Sequence, residues 1–146
     1  MKFWDSSAIL PLCLNEPCSS IIRKILQEDR DIVAWWGTPV ECYSTFARLR
    51  REKVLDASGE DRAREFVADL TAAWAEIQPS AMVRDGAGRV LRLHPLRAAD
   101  SLQLAAALLW GRGQAGMLEF VCLDYRLRTA ARLEGFRILP EIQESR

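Results

Sequence analysis

Met1-Lys2-Phe3-Trp4-Asp5-Ser6-Ser7-Ala8-Ile9-Leu10 decides how the rest of the chain is read. A short apolar run ends in a carboxylate and passes, without a spacer, into a helix-compatible segment. That pattern predicts a strand whose carboxyl end presents Asp5 at the mouth of a sheet. Open α/β sheets bind ligands outside the carboxyl ends of their strands. An acid there is a natural first member of a site, and the remaining sequence decides whether other acids reach the same edge.

Working outward, Ser6 to Cys13 reads as a short helix that breaks near Asn15-Glu16-Pro17. A second helix is expected from Ser19 to Glu28, with Ile21, Ile22, Ile25 and Leu26 on its buried side. Ile32-Val33-Ala34-Trp35-Trp36 is continuously apolar and stops at Gly37, the mark of a strand covered on both faces. Thr38-Pro39-Val40-Glu41 opens a third helix lasting to about Lys53, with Thr38 at the cap, Pro39 in the first turn and Glu41 at the capping-box position. A fourth helix starts at Ser58-Gly59-Glu60-Asp61; Ala63, Phe66, Val67, Leu70, Trp74 and Ile77 fall at helical spacing, opposite Glu60, Arg64 and Asp69. Ala75 to Gln78 is also compatible with a short strand before Pro79. A further helix runs through Val90 to Leu93, weakened by Gly86 and Gly88. Ala98 to Trp110 is the most apolar helix and is expected at the centre of the molecule. Glu119 to Leu123 is a strand ending at Asp124, Tyr125 to Glu134 a helix capped by Gly135, and Phe136 to Leu139 a last strand. Strands alternating with helices imply a parallel sheet with right-handed crossovers.

At 146 residues the chain has the length of one domain and can bury a sizeable core. It lacks a run of about 20 apolar residues and the basic-then-apolar layout of a secretory signal, so a cytoplasmic protein is expected. Cys13, Cys18, Cys42 and Cys122 form neither a disulfide framework nor a Cys-x-x-Cys pair, and the single histidine, His94, cannot complete a usual zinc set. Buried, reduced thiols are the expectation, and His94, in a loop before Pro95, is a candidate for general acid–base catalysis against a purely structural role. The net charge is zero, while lysine occurs only at Lys2, Lys24 and Lys53. Arginine suits phosphate recognition through its planar fork, although GC-rich coding gives the same bias. Gly111-Arg112-Gly113-Gln114-Ala115-Gly116 spells G-x-G-x-x-G, but it follows a helix and precedes a strand, the reverse of the dinucleotide-binding order. A turn is expected there.

Asp5 and Asp124 each end a strand and begin a helix, Asp100 begins the apolar helix, and Glu41 lies in the first turn after the second strand. The carboxyl ends of parallel strands share one edge, so these four acids can converge. Singly, each also reads as a helix cap worth about 1 kcal/mol, and Asp100 with Gln103 resembles a capping box. Together the capping account weakens, because serine or threonine caps as well. Gathered carboxylates repel by roughly 1–4 kcal/mol per close pair, so either some stay protonated or a divalent cation joins them. All-oxygen carboxylate sites suit Mg²⁺ or Mn²⁺.

The opening K-F-W-D-S-S-A, the P-V-E at a helix start, R-A-A-D-S-L-Q-L-A-A-A-L and L-D-Y-R-L-R-T-A-A-R-L-E-G-F resemble PIN-domain ribonucleases, and among them the VapC-type toxins of bacterial toxin–antitoxin pairs. The resemblance spans essentially residues 1–146 as a single domain. It implies an α/β three-layer sandwich with a central parallel sheet of about five short strands. It also implies metal-dependent endoribonuclease activity that leaves a 5′-phosphate on single-stranded or loop RNA. Carried over by position, the family's acidic quartet falls on Asp5, Glu41, Asp100 and Asp124, as catalytic residues and ligands of Mg²⁺ or Mn²⁺. Cys122 departs from the pattern, since many relatives carry threonine or serine two residues before the last acid. The same resemblance implies an antitoxin partner whose arm occupies the acidic cleft, and a homodimer through the exposed side of the third and fourth helices. Ser6 or Ser7 is a candidate for orienting Asp5, though serine after a strand is equally a helix starter. Arg48, two turns beyond Glu41 on the same helical face, is the candidate for gripping RNA phosphate; Arg97, Arg126 and Arg128 also stand near sheet-edge junctions. Trp36 and Tyr43 are candidates for base stacking, against core or dimer packing.

Three other readings compete. Aspartate-nucleophile phosphatases need a second acid where Ser7 stands, and receiver domains need a late lysine that the chain lacks after Lys53. A PIN fold that binds RNA or a partner with little or no nuclease activity keeps the acids but acts without them.

Overall fold

Side-chain alternation along the strands divides the apolar residues between two faces, and each face is covered by its own helices. The computed structural model describes residues 1–114 and 116–142. Within it, β1 (Lys2–Trp4), β2 (Ile32–Trp35), β3 (Ala75–Ile77), β4 (Glu119–Val121) and β5 (Arg137–Leu139) pair in parallel in the order β3-β2-β1-β4-β5. Phe3, Val33 and Phe120 enter one core with residues of α5 (Ala81–Leu93), α6 (Ala98–Gly111) and α7 (Tyr125–Leu133). Trp4, Ile32, Ala34 and Val121 enter the other, against α1 (Ser6–Cys13), α2 (Ser19–Glu28), α3 (Thr38–Arg51) and α4 (Ala57–Ala73). This is the three-layer α/β/α sandwich expected.

The strand order has a functional consequence. From β1 the chain builds outward through β2 and β3, and then returns to build outward on the other side through β4 and β5. The direction reverses between β1 and β4, where Phe3 pairs with Phe120 and Trp4 with Val121. Helices leave to opposite layers at that point, opening a crevice at the carboxyl edge, which is where such sheets bind ligands. Asp5 follows β1 and Asp124 stands just beyond β4.

Several local expectations change. Gly37, not Thr38, is the N-cap of α3, and no side chain caps that helix. Thr38 is fully buried, and the Thr38–Glu41 capping box does not form because both side chains face a partner on α6 instead. Asp56 starts α4 by accepting from the Gly59 N–H at 2.7 Å, and α4 ends at Ala73. Trp74 and Ile77 therefore lie beyond the helix, and Ala75–Ile77 forms the edge strand β3. Phe66 is 41% exposed, so only Ala63 and Val67 of the α4 stripe reach full burial. Despite Gly86 and Gly88, α5 is a full helix; a Cβ at Gly86 would lie 3.3 Å from that of Ala105, so the small residue lets α5 approach α6. Gly135 takes φ +103°, the left-handed cap that ends α7. Of the Gly111–Gly116 turn, Ala115 lies outside the described residues, and Gly116 has φ +85°. Cys42 and Cys122 are buried thiols, while Cys13 and Cys18 are partly exposed and also free. No helix among the described residues is long and apolar enough to cross a membrane.

Candidate active site

Asp5 is positioned by its own helix and by the neighbouring strand. It is the N-cap of α1, and its Oδ2 accepts from the Ser7 N–H at 3.1 Å and the Ser7 hydroxyl at 2.5 Å. The Leu123 N–H in turn donates to Ser7 Oγ at 2.9 Å, and the Asp5 N–H donates to the Val121 carbonyl at 3.0 Å. One serine thus ties the carboxylate at the end of β1 to the chain leaving β4. Only 2% of Asp5 is exposed. The Cys122 thiol lies 3.6 Å from both Asp5 Oδ2 and the Asp124 carbonyl oxygen. A thiol there is a weaker hydrogen-bond donor than a hydroxyl would be.

Glu41 reaches Asp5 from the layer of α3. The Ser6 hydroxyl is 3.2 Å from Glu41 Oε1 and 3.5 Å from Asp5 Oδ1, so it bridges the two carboxyl groups. Gln103, on the opposite helical layer, sends its amide Nε2 to Glu41 Oε2 at 2.7 Å and to Thr38 Oγ1 at 2.8 Å. This fully buried glutamine clasps α3 to α6 across the end of the sheet. The capping box that Asp100 and Gln103 resemble does not form, since Arg97 is the N-cap of α6; a lone amide on so apolar a helix is itself the sequence signal of a distant polar partner.

Asp100, in the first turn of α6, and Asp124, the N-cap of α7, line one side of an open cavity of about 430 Å³ with Arg97, Ala99 and Arg126. Asp124 also caps its helix through the Leu127 N–H at 2.9 Å. The four acids are coupled by charge. Burial pushes Asp5 above the ordinary carboxylate range, opposed by the Ser7 hydrogen bonds and reinforced by Asp100. Burial, then the charge of Asp5, pushes Glu41 up to about 7, with Gln103 and Ser6 pulling the other way and Asp100 adding to the rise. Burial and the charge of Asp124 raise Asp100, while Arg97 and Arg126 lower it. Among the described residues, no three His, Cys, Asp or Glu side chains stand close enough together to hold a metal ion between them.

The other sequence candidates lie elsewhere. Arg48 pairs with Glu52 at 3.3 Å, one turn along α3. Arg128 is buried and donates to the carbonyls of Cys122 and Pro140 at 2.8 and 2.9 Å. The Trp36 ring is half exposed and meets Trp35 edge-on, and the Tyr43 ring lies 4.6 Å under the Arg64 guanidinium. His94 is the C-cap of α5, its Nε2 2.8 Å from Glu134 at the end of α7.

Comparison with known proteins places the chain in a family. The ribonucleases VapC45 and VapC49, from two strains of Mycobacterium tuberculosis, are each 30% identical over 141 residues, spanning 96% of this chain and 95% of theirs. No family model matches the sequence. Among solved structures, M. tuberculosis VapC20, a toxin that cleaves the sarcin–ricin loop, superposes with a TM-score of 0.67 at 14% identity, over 94% of this chain and 97% of that one. FitAcB from Neisseria gonorrhoeae gives 0.66 at 15% identity, over 94% and 96%. PAE2754 from Pyrobaculum aerophilum gives 0.64 at 16%, over 94% and 83%. The structural matches establish the PIN-like fold expected above, and the sequence matches go further: this chain belongs to the VapC ribonuclease family.

Proposed function

We propose that the chain is the endoribonuclease toxin of a toxin–antitoxin pair and that its acidic edge works with Mg²⁺ or Mn²⁺. The observation that carries this reading is the meeting of Asp5 and Glu41, from different elements, on one serine hydroxyl, with the charge of Asp100 reaching both. Among the described residues no cation pairs with these acids, and the donor set is all carboxylate. That chemistry fits a hard divalent cation. Asp5, Glu41 and Asp100 would hold it, directly or through water, and Asp124 would complete the rim. Mg²⁺ commonly retains several waters and takes only one or two carboxylates, which accords with acids that are near one another but form no tight triad.

A bound cation supplies an acidified water and offsets charge on the phosphate. The protein's own groups provide the alignment. Ser7 holds Asp5 against the β1–β4 crevice, and Gln103 and Ser6 fix both oxygens of Glu41. Hydrolysis adds water to phosphorus and releases the 3′ oxygen, leaving a 5′-phosphate and a 3′-hydroxyl.

An antitoxin arm that enters this cleft, with an arginine among the carboxylates, would block it, and a second copy would pack on the exposed side of α3 and α4. Toxicity on expression is the test. Asp5→Ala should abolish it, and purified Glu41→Ala and Asp100→Ala proteins should fold yet lose Mg²⁺-dependent cleavage of RNA. Full cleavage by either variant overturns the site. Undiminished toxicity of Asp5→Ala would favour a module that acts by binding.

A further inference from the structure

The acidic edge poses an electrostatic problem, because RNA is a polyanion and four carboxylates repel it. The cavity beside Asp100 and Asp124 contains the counterweight. Arg97 is the residue from which α6 starts, and Arg126 is the second residue of α7. They come from the starts of two helices far apart in sequence, yet they line one cavity of about 430 Å³ together with both acids and Ala99. Both guanidiniums are exposed, and neither makes a hydrogen bond or a short ion pair among the described residues. Their charges act on Asp100 only at longer range.

Other arginines near carboxylates behave differently. Arg48 is held by Glu52, Arg89 by Glu134, Arg64 by Glu60, and Arg137 by Glu141 and Glu119. Arg97 and Arg126 have acids beside them and remain uncommitted, with all their fork donors available.

We infer that Arg97 and Arg126 form a phosphate seat, binding an RNA backbone phosphate adjacent to the one that is cleaved. The inference rests on the nuclease reading above and deepens it. The formal charge of the cavity lining is zero, two acids against two arginines, so a phosphodiester meets no net repulsion there. Asp5 and Glu41 lie deeper, where they and Asp100, on the cavity's wall, would hold the cation. The guanidinium fork donates two parallel hydrogen bonds and matches the two free oxygens of a phosphodiester. Such contacts set register and affinity without reading sequence. The seat therefore holds any RNA, and base selection falls to other parts of the surface.

The test separates binding from cleavage. An Asp5→Asn background keeps the RNA intact, and a fluorescent single-stranded oligoribonucleotide is titrated by anisotropy over a range of salt. Arg97→Ala and Arg126→Ala should each weaken binding about 5- to 10-fold and reduce the slope of log affinity against log salt by about 0.7, the value for one lost phosphate contact on a single strand. Arg97→Lys and Arg126→Lys should keep the slope, since they keep the charge. Arg62→Ala, on α4, should change neither quantity. Unchanged affinity and slope in the Arg97→Ala/Arg126→Ala double variant, folded by circular dichroism, overturns the seat. So does lost binding of a purified antitoxin with RNA affinity intact, which would assign the arginines to a protein ligand. If Asp5→Asn protein still cleaves RNA, the role given to Asp5 fails, while the slope change, read without added divalent metal on RNA shown to stay intact, still decides the seat.

Discussion

Two sets of carboxylates in this protein are treated in opposite ways. Asp29 sits beside the N-terminal amine and Lys2, and Glu134 beside His94 and Arg89. The amine holds Asp29 down to about 2. Burial pushes Glu134 up, but His94 and Arg89 bring it below the ordinary value. Among the described residues Asp5 and Glu41 have no cation paired with them, and both sit above theirs. The fold can pair its acids and does so away from the sheet's carboxyl edge. At that edge it supplies serine and glutamine donors, which orient a carboxylate without neutralising it. Raised acids in such a frame are what the site proposed above requires.

Substitution should break this contrast most sharply. Asp5→Asn and Asp100→Asn should lower the initial rate of RNA cleavage on the order of 10³-fold, the scale of losing a preorganised electrostatic partner. In the same proteins, without metal, the melting temperature at neutral pH should hold or rise, because a repelling charge has gone. Asp29→Asn should do the reverse, with cleavage intact and melting lowered. A fall in stability for Asp5→Asn together with full activity would erase the distinction between the two sets.

Acidity gives the second test. Glu41 titrates at about 7 in the folded protein, against an ordinary value of 4.5. Its folded value is raised, so the stability tied to its protonated form is present below 4.5 and lost as pH rises through 7. Metal-free protein should therefore weaken by about 1–3 kcal/mol across that window, taking about 1.4 kcal/mol per pKa unit. Denaturant melts at several pH values measure it. Glu41→Gln should flatten the curve, and saturating Mg²⁺ should restore stability at the upper end. A flat curve in the parent protein would mean that Glu41 is not raised.

Gln103→Leu is expected to act more mildly. It removes the amide that clasps Glu41 to Thr38 and lets the Glu41 midpoint rise further. Cleavage should fall about tenfold, with the acid limb of the pH–rate profile displaced to higher pH. A tenfold loss with no displacement would make Gln103 a packing residue only.

How much of this was legible in the sequence follows from the range of each interaction. Strand and helix positions were readable because periodicity is local: β2 is apolar throughout since helices cover both its faces, and α6 is the most apolar helix since it lies between the sheet and α5. The convergence of Asp5 and Asp124 followed from parallel pairing alone. The misreadings involve side chains that turn toward distant partners. Thr38 and Glu41 match a capping box, and Asp100 and Gln103 nearly match another, yet Gln103 bonds with residues more than 60 positions away instead of capping its own helix. Two local motifs thus lost to one contact between layers, which no window along the chain contains. The Trp74–Ile77 stretch was ambiguous for a similar reason: its helical spacing continued that of α4, and only pairing with β2 made it a strand.

The smallest effect tests the paired side of the contrast. Asp29 has a lowered folded value, so its contribution is fully present above its ordinary value of 3.8 and is lost as pH falls through about 2. The side chain is partly exposed, and water and salt screen the pair. Asp29→Asn should then cost about 0.5–1 kcal/mol at neutral pH, less at high salt, and almost nothing near pH 2. Lys2 lies between Asp29 and Glu119, at 3.2 and 3.7 Å, so its ammonium keeps a partner when Asp29 is neutralised. A loss well above that range would show that the cluster anchors β1 itself, since the Lys2 N–H also donates to the Asp31 carbonyl. In that case the effect would spread to the sheet edge, and Asp29→Asn would slow RNA cleavage through the placement of Asp5 three residues further along.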